Sequence, residues 1–334
     1  RDPRDIAVSL SPTERALYNR VEDYISTTYN RAAPEKRTAI GFVMTIYRRR
    51  LASSFHALRC TLTNRLARKS EPIDEEDISQ DEIQEEIMDA ECAFALACQS
   101  REDEEDAEIK SILKQIAQLG TDSKARELKS QLEGIFAEGY DSALVFTHYT
   151  DTMDYLKDYL AEHFRDKSIA CYSGRGGERR DGGGSWTICS KESVRQALKR
   201  KEIRLLVCTD AAGEGLNLQY CGALINYDLP WNPMKIEQRI GRIDRIGQQY
   251  PTIRIINLAY KNTVEADIYF ALASRINLFQ GIVGRLQPIL SRLPKEFERL
   301  TLQPPARRDA GQARCTADIE QMVEESERVA FDID

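Results

Sequence analysis

Gln238-Arg239-Ile240-Gly241-Arg242-Ile243-Asp244-Arg245-Ile246-Gly247-Gln248 is the stretch of this 334-residue chain whose residue types and spacing best suit chemistry. Arg242 and Arg245 stand three residues apart, so on a helix they share one face. Two guanidinium groups on one face suit a ligand with several negative oxygens, such as a nucleotide polyphosphate. An isolated G-R-x-x-R is more often a solvated basic helix laced with surface ion pairs. Its neighbours in the chain favour the chemical reading.

Upstream lies Ile203-Arg204-Leu205-Leu206-Val207-Cys208-Thr209-Asp210-Ala211-Ala212-Gly213-Glu214-Gly215-Leu216-Asn217-Leu218, a short apolar run ending in a polar, glycine-bearing turn. The run reads as a buried strand. Its turn then sits at the carboxyl end of a strand, where open α/β sheets place ligands. A second apolar run, Ala223-Leu224-Ile225-Asn226-Tyr227-Asp228, is closed by Leu229-Pro230-Trp231-Asn232-Pro233 and leads into the arginine segment.

In order and residue type these segments resemble the second motor lobe of superfamily-two helicases. In detail they resemble the Swi/Snf-like ATPases, and among those the bacterial RapA (HepA)-like branch. Ala143-Leu144-Val145-Phe146-Thr147-His148-Tyr149 resembles motif IV, and Thr209 to Leu218 motif V. Asp228-Leu229-Pro230-Trp231-Asn232-Pro233 resembles the Asp…Trp-Asn-Pro element, and Gln238 to Gln248 motif VI. The match is firm over about residues 140–285 and looser over 1–140.

The resemblance implies a RecA-like lobe facing a first lobe across an ATP cleft. Arg242 and Arg245 then match arginine fingers, and Gln238 helps hold the closed interface. Asp210, Gly213, Glu214 and Gly215 match the nucleotide-linked turn of motif V, where the glycines permit backbone turns that a Cβ blocks. Thr147, His148 and Thr209 are the candidates for nucleic-acid phosphate contacts. Trp231 is either a brace at the edge of the nucleic-acid groove or a core aromatic packing its proline turn. Some relatives remodel protein–DNA or polymerase–DNA complexes, and some belong to phage-defence systems.

No G-x-x-x-x-G-K-[ST] occurs in the chain, and no acidic box follows an apolar strand. Asp74-Glu75-Glu76-Asp77 sits in a polar run. The chain also begins at Arg1. The expectation is therefore the C-terminal part of a longer protein, inactive alone, with ATP and Mg2+ held mainly by the N-terminal lobe. The glycine-rich Ser173–Gly184 segment reads as a flexible strand-to-helix loop. The alternative is a mobile arm touching a nucleic-acid backbone through Arg175, Arg179 and Arg180.

Composition fits a globular chain with ample apolar content. The net charge of −7 hides a division: residues 71–108 carry −16 and the remainder +9. A mildly basic body is consistent with a nucleic-acid partner, with double-stranded DNA favoured by the resemblance. The acidic insert reads as a solvated helical face, or as a competitor of phosphates for the basic surface. Eight cysteines show no C-x-x-C pair, and the three histidines form no cluster, so no metal site is expected. Cys208 and Cys221 read as small buried hydrophobes. No signal peptide or eighteen-residue apolar stretch occurs, and a bacterial cytoplasmic setting is expected.

Four regions position these residues. Residues 1–140 are expected to be a helical connector with the acidic insert. Ser11-Pro12-Thr13-Glu14 is a capping box opening a helix striped by Leu17, Val21, Tyr24, Ile25 and Thr28. Tyr47-Arg48-Arg49-Arg50-Leu51-Ala52-Ser53-Ser54 resembles the connector after the first lobe; a basic run of this kind is ordinarily a solvated face, and the resemblance offers a place near the lobe interface as the alternative. Ile83, Ile87, Ala90 and Phe94 mark a helix in the insert, and Leu128, Leu132, Ile135 and Phe136 mark another. Residues 141–260 alternate strands near 142–147, 167–172, 203–208, 223–227 and 253–258 with helices near 150–163, 190–201 and 233–245. That is an α/β fold, a parallel sheet covered on both faces. Residues 261–302 are bracing helices with Ile268, Leu272, Ile276 and Phe279 on one stripe, and 303–334 a linker or tail.

Three function classes follow: half of an ATP-driven double-stranded-DNA translocase, a lobe of a strand-separating DNA or RNA helicase, and a non-catalytic interaction module. The Trp-Asn-Pro element favours the first. Intact Gln238, Arg242 and Arg245 argue against the third.

Overall fold

A computed structural model describes residues 1–68, 102–180, 184–210, 218–276 and 293–303, with the single residue 317. The described strands form one sheet: β1 (Asp2–Val8), β2 (Ala143–Thr147), β3 (Ile169–Ser173), β4 (Gly176–Arg180), β5 (Trp186–Cys189), β6 (Leu205–Thr209), β7 (Ala223–Asn226) and β8 (Arg254–Tyr260). Their order is β1-β8-β7-β2-β6-β3-β4-β5. The pairs from β1 to β3 are parallel, and β3–β4 and β4–β5 are antiparallel. All five strands expected from apolar runs are present.

Each inner strand is apolar on both faces, as a doubly covered parallel sheet requires. Val145, Val207, Ile225 and Leu258 face one core with helices α1 (Pro12–Arg31), α2 (Arg37–Ser53), α3 (Phe55–Arg68), α4 (Glu102–Gln118), α5 (Ser123–Ala137) and α6 (Thr150–His163). Leu144, Phe146, Leu206, Cys208 and Leu224 face a second core with α7 (Lys191–Lys199), α8 (Met234–Ile243), α9 (Val264–Ile276) and α10 (Leu293–Thr301). Successive strand residues alternate between the two cores, as the pleat dictates. Cys208 and Cys221 are buried, as expected.

The first helix forms as its sequence predicts. Ser11 Oγ accepts from Glu14 N, and Glu14 Oε2 accepts from Ser11 N at 2.7 Å, closing the capping box. Leu17, Val21, Tyr24 and Ile25 are buried. Glu14 also accepts from Ser123 N at 2.7 Å, so the box ties α1 to the start of α5.

Two expectations are corrected. Residues 1–140 are not wholly helical: Asp2–Val8 pair in parallel register with Arg254–Tyr260. This edge strand is partly exposed, so its hydrogen-bonded ladder to β8, not an apolar run, defines it. The glycine-rich segment is not simply a loop, because β4 and β5 extend the sheet. Gly177 approaches β5 closely, and a Cβ there comes within 2.7 Å of Cys189 O. The arginines of the alternative arm are tied into the fold: Arg175 to Asp154 at 2.8 Å, Arg179 to Glu202 at 3.0 Å, and Arg180 to Ala161 O at 2.9 Å. Residues 181–183 lie outside the described residues, as do Ile83, Ile87, Ala90, Phe94 and Phe279.

Candidate functional site

The carboxyl ends of β2, β6 and β7 lie side by side, with α8 against them. Strand β6 and strand β7 flank β2, so the chain crosses over β2 between them, and the strand ends there form the crevice where open sheets take ligands. Helix α8 buries Ile236, Ile240 and Ile243 at helical spacing. Arg239 falls on this same apolar stripe.

Arg239 is 2% exposed at its side chain and fully engaged. Its Nε donates to Asp210 Oδ1 at 2.5 Å and its Nη2 to Asp210 Oδ2 at 2.9 Å. Nη1 donates to Asn226 Oδ1 and Asp228 O, both at 3.0 Å. Its Cζ lies 5.5 Å from the centre of the Phe146 ring. Burial disfavours both charges, but each outweighs that penalty for the other. Asp210 is held far below the usual carboxylate range by Arg239 and by the His148 hydrogen bond, against its burial. Burial opposes the Arg239 cation, and Asp210 reverses that opposition and raises its pKa. His148 Nδ1 lies 3.0 Å from Asp210 Oδ2.

A second carboxylate orders the neighbouring strand ends. Asp228 Oδ2 accepts from Thr147 Oγ1 and from Ser53 Oγ, each at 2.6 Å. Its Oδ1 accepts from His148 N at 2.9 Å. Ser53 belongs to the end of α2, and its hydroxyl lies 2.8 Å from that of Thr152. The helical connector is thereby bonded to the strand ends. Its basic run is not a solvated face. Arg48 is buried against Glu265 at 3.1 Å, Arg49 lies over Trp231 at 4.5 Å, and Arg50 lies over Tyr149 at 4.3 Å and pairs with Asp151.

The outward groups of motif VI behave differently. Gln238 and Arg245 are exposed and Arg242 is half-buried. Among the described residues neither Arg242 nor Arg245 has an ion-pair partner. Helix α8 ends at Ile243, so the two arginines do not share a helical face, contrary to the spacing argument. Asp244 leaves the helical region (φ −84°, ψ 78°). Gln248 Nε2 then donates to Ile243 O at 2.8 Å and Cys221 O at 3.1 Å, serving a carbonyl at the helix end. Gly247 turns the chain at φ +96°. Arg245 lies beyond the helix with its Nε on Gly241 O at 2.7 Å. Arg1, at the foot of β1, pairs with Asp244 at 2.6 Å and Glu237 at 3.0 Å and braces this turn.

Three of the candidate nucleic-acid contacts are buried. Thr147 is fully buried, and its hydroxyl is committed to Asp228. Thr209 is buried, and its hydroxyl has no hydrogen-bond partner among the described residues. Trp231 is 6% exposed, with Phe297 of α10 stacked at 5.5 Å and Arg49 over its ring. His148 stays at the crevice, half-buried. Gly213, Glu214 and Gly215 lie outside the described residues. Among the described residues no group of three or more His, Cys, Asp or Glu side chains is placed to hold a metal.

Arg239 is not among the residues that the sequence singles out, and Asp228 enters only as the first residue of the Asp…Trp-Asn-Pro element. Arg239 carried a usable signal: a cation at i+3 on a stripe of Ile236, Ile240 and Ile243 demands a buried acid. Asp228 carries a motif signal but none for its bonding to Thr147, Ser53 and His148.

Residues 123–247 match the family model described as the helicase conserved C-terminal domain. The chain is homologous to bacterial ATP-dependent helicases. It is 32% identical over 299 residues to the protein named uncharacterized ATP-dependent helicase YqhH of Bacillus subtilis (strain 168), across 88% of this chain and 43% of that protein. It is 31% identical over 135 residues to the RNA polymerase-associated protein RapA of Serratia proteamaculans (strain 568), across 40% of this chain and 13% of that protein. The chain thus spans less than half the length of these relatives. The fold is shared with a Sulfolobus solfataricus SWI2/SNF2 ATPase core in complex with dsDNA, at TM-score 0.52 and 15% identity, over 92% of this chain and 49% of that one. No described helix is long and apolar enough to cross a membrane.

Proposed function

We propose that this chain is the second motor lobe of an ATP-driven double-stranded-DNA translocase in the bacterial cytoplasm. A RecA-like lobe of the same protein, bearing the phosphate-cradling loop absent from this sequence, grips ATP and its Mg2+. Arg242 and Arg245 reach that nucleotide, where phosphoryl transfer needs positioning and cancellation of charge on the γ-phosphate oxygens. Gln238 lines the same cleft. Asp210, through Arg239 and His148, couples that cleft to the nucleic-acid track, and the Gly213-Glu214-Gly215 turn continues the link. Without its partner lobe the chain does not hydrolyse ATP.

The observation that carries this reading is the division among three arginines of one motif. Arg239 is consumed inside the lobe, while Arg242 and Arg245 have no ion-pair partner among the described residues and stand at the outer side. The test is ATP turnover of the full-length protein at one salt concentration, without nucleic acid and with single-stranded DNA, duplex DNA or RNA. Strong stimulation by duplex alone is the expected result. Stimulation by single strands or RNA instead assigns a strand-separating helicase.

A further inference from the structure

The Trp231 turn closes one wall of a cavity of about 200 Å³ at the carboxyl ends of β2 and β7. Arg49 and Ser53 of α2, His148, Asp228, Trp231 and Lys235 line it. Its two cations have no part in the motor chemistry above. Arg48 and Arg50, on either side of Arg49, are both ion-paired. Arg49 and Lys235 have no ion-pair partner among the described residues, and Arg49 Nε is buried without a hydrogen-bond partner. A buried guanidinium N–H left unpaired is costly, and such a group commonly marks an unfilled partner. The one carboxylate of the cavity does not fill that role. Asp228 accepts from Ser53, Thr147 and His148 N and lies 3.7 Å from Arg239.

We propose that this cavity seats one phosphate group, held between the Arg49 guanidinium and the Lys235 ammonium on the Trp231 ring. A planar guanidinium with free N–H groups suits two phosphate oxygens at once. The first turn of α8, where Lys235 sits, adds the partial positive charge of a helix start. The cavity is smaller than the roughly 300–1,000 Å³ of small-molecule sites, so it takes a phosphate unit and not a whole nucleotide. Where the phosphate belongs to a duplex backbone, the proposal rests on the translocase reading. It then replaces Thr147, Thr209 and the Trp231 ring face as the point of contact. Free inorganic phosphate is the other source of the same chemistry.

Fluorescence anisotropy of a labelled 20-base-pair duplex, titrated with the chain across a salt series, tests the seat. Arg49→Gln and Lys235→Gln are compared with Lys129→Gln, which removes an exposed charge paired with Glu133. Each cavity variant is expected to weaken binding severalfold and to reduce the slope of log affinity against log salt by about one, with Lys129→Gln smaller in both respects. Lys235 is half-buried and free of the Trp231 stack, so its variant reports even where Arg49→Gln perturbs folding. Wild-type affinity and slope in both cavity variants overturn the seat and leave the nucleic-acid reading intact. In a second arm, inorganic phosphate is followed by its 31P linewidth. Broadening by wild type but not by the variants, with no duplex binding, upholds the seat and overturns the DNA reading. No response to either probe overturns both.

Discussion

Arg239 and the pair Arg242/Arg245 are the same residue type within seven positions of one motif, yet they meet opposite environments. Arg239 points into the lobe, where Asp210, Asn226 and the Asp228 carbonyl use its donors. Arg245 is exposed and Arg242 half-buried, and no carboxylate among the described residues neutralises them. The difference comes from phase and helix length. Arg239 shares the buried stripe of Ile236 and Ile240, whereas α8 ends at Ile243 and releases Arg245 into a turn. The lesson is that a cation's number of unused donors, more than its charge, marks what it is for. An engaged arginine sets the shape of the crevice, and an unengaged one is available to a ligand.

Breaking the engaged side gives the largest stability effect. Arg239→Ala leaves Asp210 buried without its cation, and losing one partner of a buried pair costs about 3–5 kcal/mol. The denaturation midpoint of this chain is expected to fall accordingly. Replacing both residues, as Asp210→Asn with Arg239→Met, is expected to recover part of that loss. An unchanged midpoint in Arg239→Ala contradicts the structural role given to it.

A second buried cation sharpens the comparison, because it is engaged more weakly. Lys124 is fully buried, its Nζ donating to Ala52 O at 2.7 Å beside the Tyr227 and Tyr260 rings. Burial lowers its pKa to about 8, although Asp228, Asp122 and Glu265 favour the charge. Below about pH 8 the lysine is protonated in both folded and unfolded chains, and the full burial penalty applies. Between that point and the unfolded value of 10.5 the unfolded chain binds more protons, so stability rises with pH. The full span is worth on the order of 3 kcal/mol. Stability measured from pH 7 to pH 10 is expected to rise in wild type and to rise less in Lys124→Met. Parallel profiles refute the assignment. Arg239, whose pKa is raised, contributes no such rise in this range.

A position remote from the crevice fixes the lower end of the scale. Ser11→Ala removes an N-cap and is expected to cost about 1 kcal/mol by thermal denaturation. Since Ser11 touches neither arginine group, ATP turnover of the full-length protein is expected to be unaffected beyond that small loss of stability.

Much of this arrangement was legible in the sequence where burial dictated pattern. Strands β2, β3, β6, β7 and β8 are apolar runs because both sheet faces are covered. Strand β1 was not legible. Asp-Pro-Arg-Asp-Ile-Ala-Val is an edge strand defined by pairing with a segment some 250 residues away, and local sequence carries no trace of that pairing. The β4–β5 hairpin was hidden because glycine signals a turn equally well when it permits close strand approach, as at Gly177. At the crevice, motif resemblance singles out Asp210 and His148 and offers packing as one reading of Trp231, but the burial of Thr147 and Thr209 leaves no mark in the local sequence. The packing around Trp231 involves Arg49 of α2 and Phe297 of α10, which lie far off in sequence.

On the proposed function, Arg242 and Arg245 act on a nucleotide held by another lobe. The most direct test of that role is the duplex-stimulated kcat of the full-length protein carrying Arg242→Ala and Arg245→Ala together, read beside its thermal midpoint. A fall of about 10³–10⁵ in kcat is expected, as for loss of an arginine finger, with the midpoint unchanged. Wild-type turnover in that variant, or a fall explained by a lowered midpoint, contradicts that role.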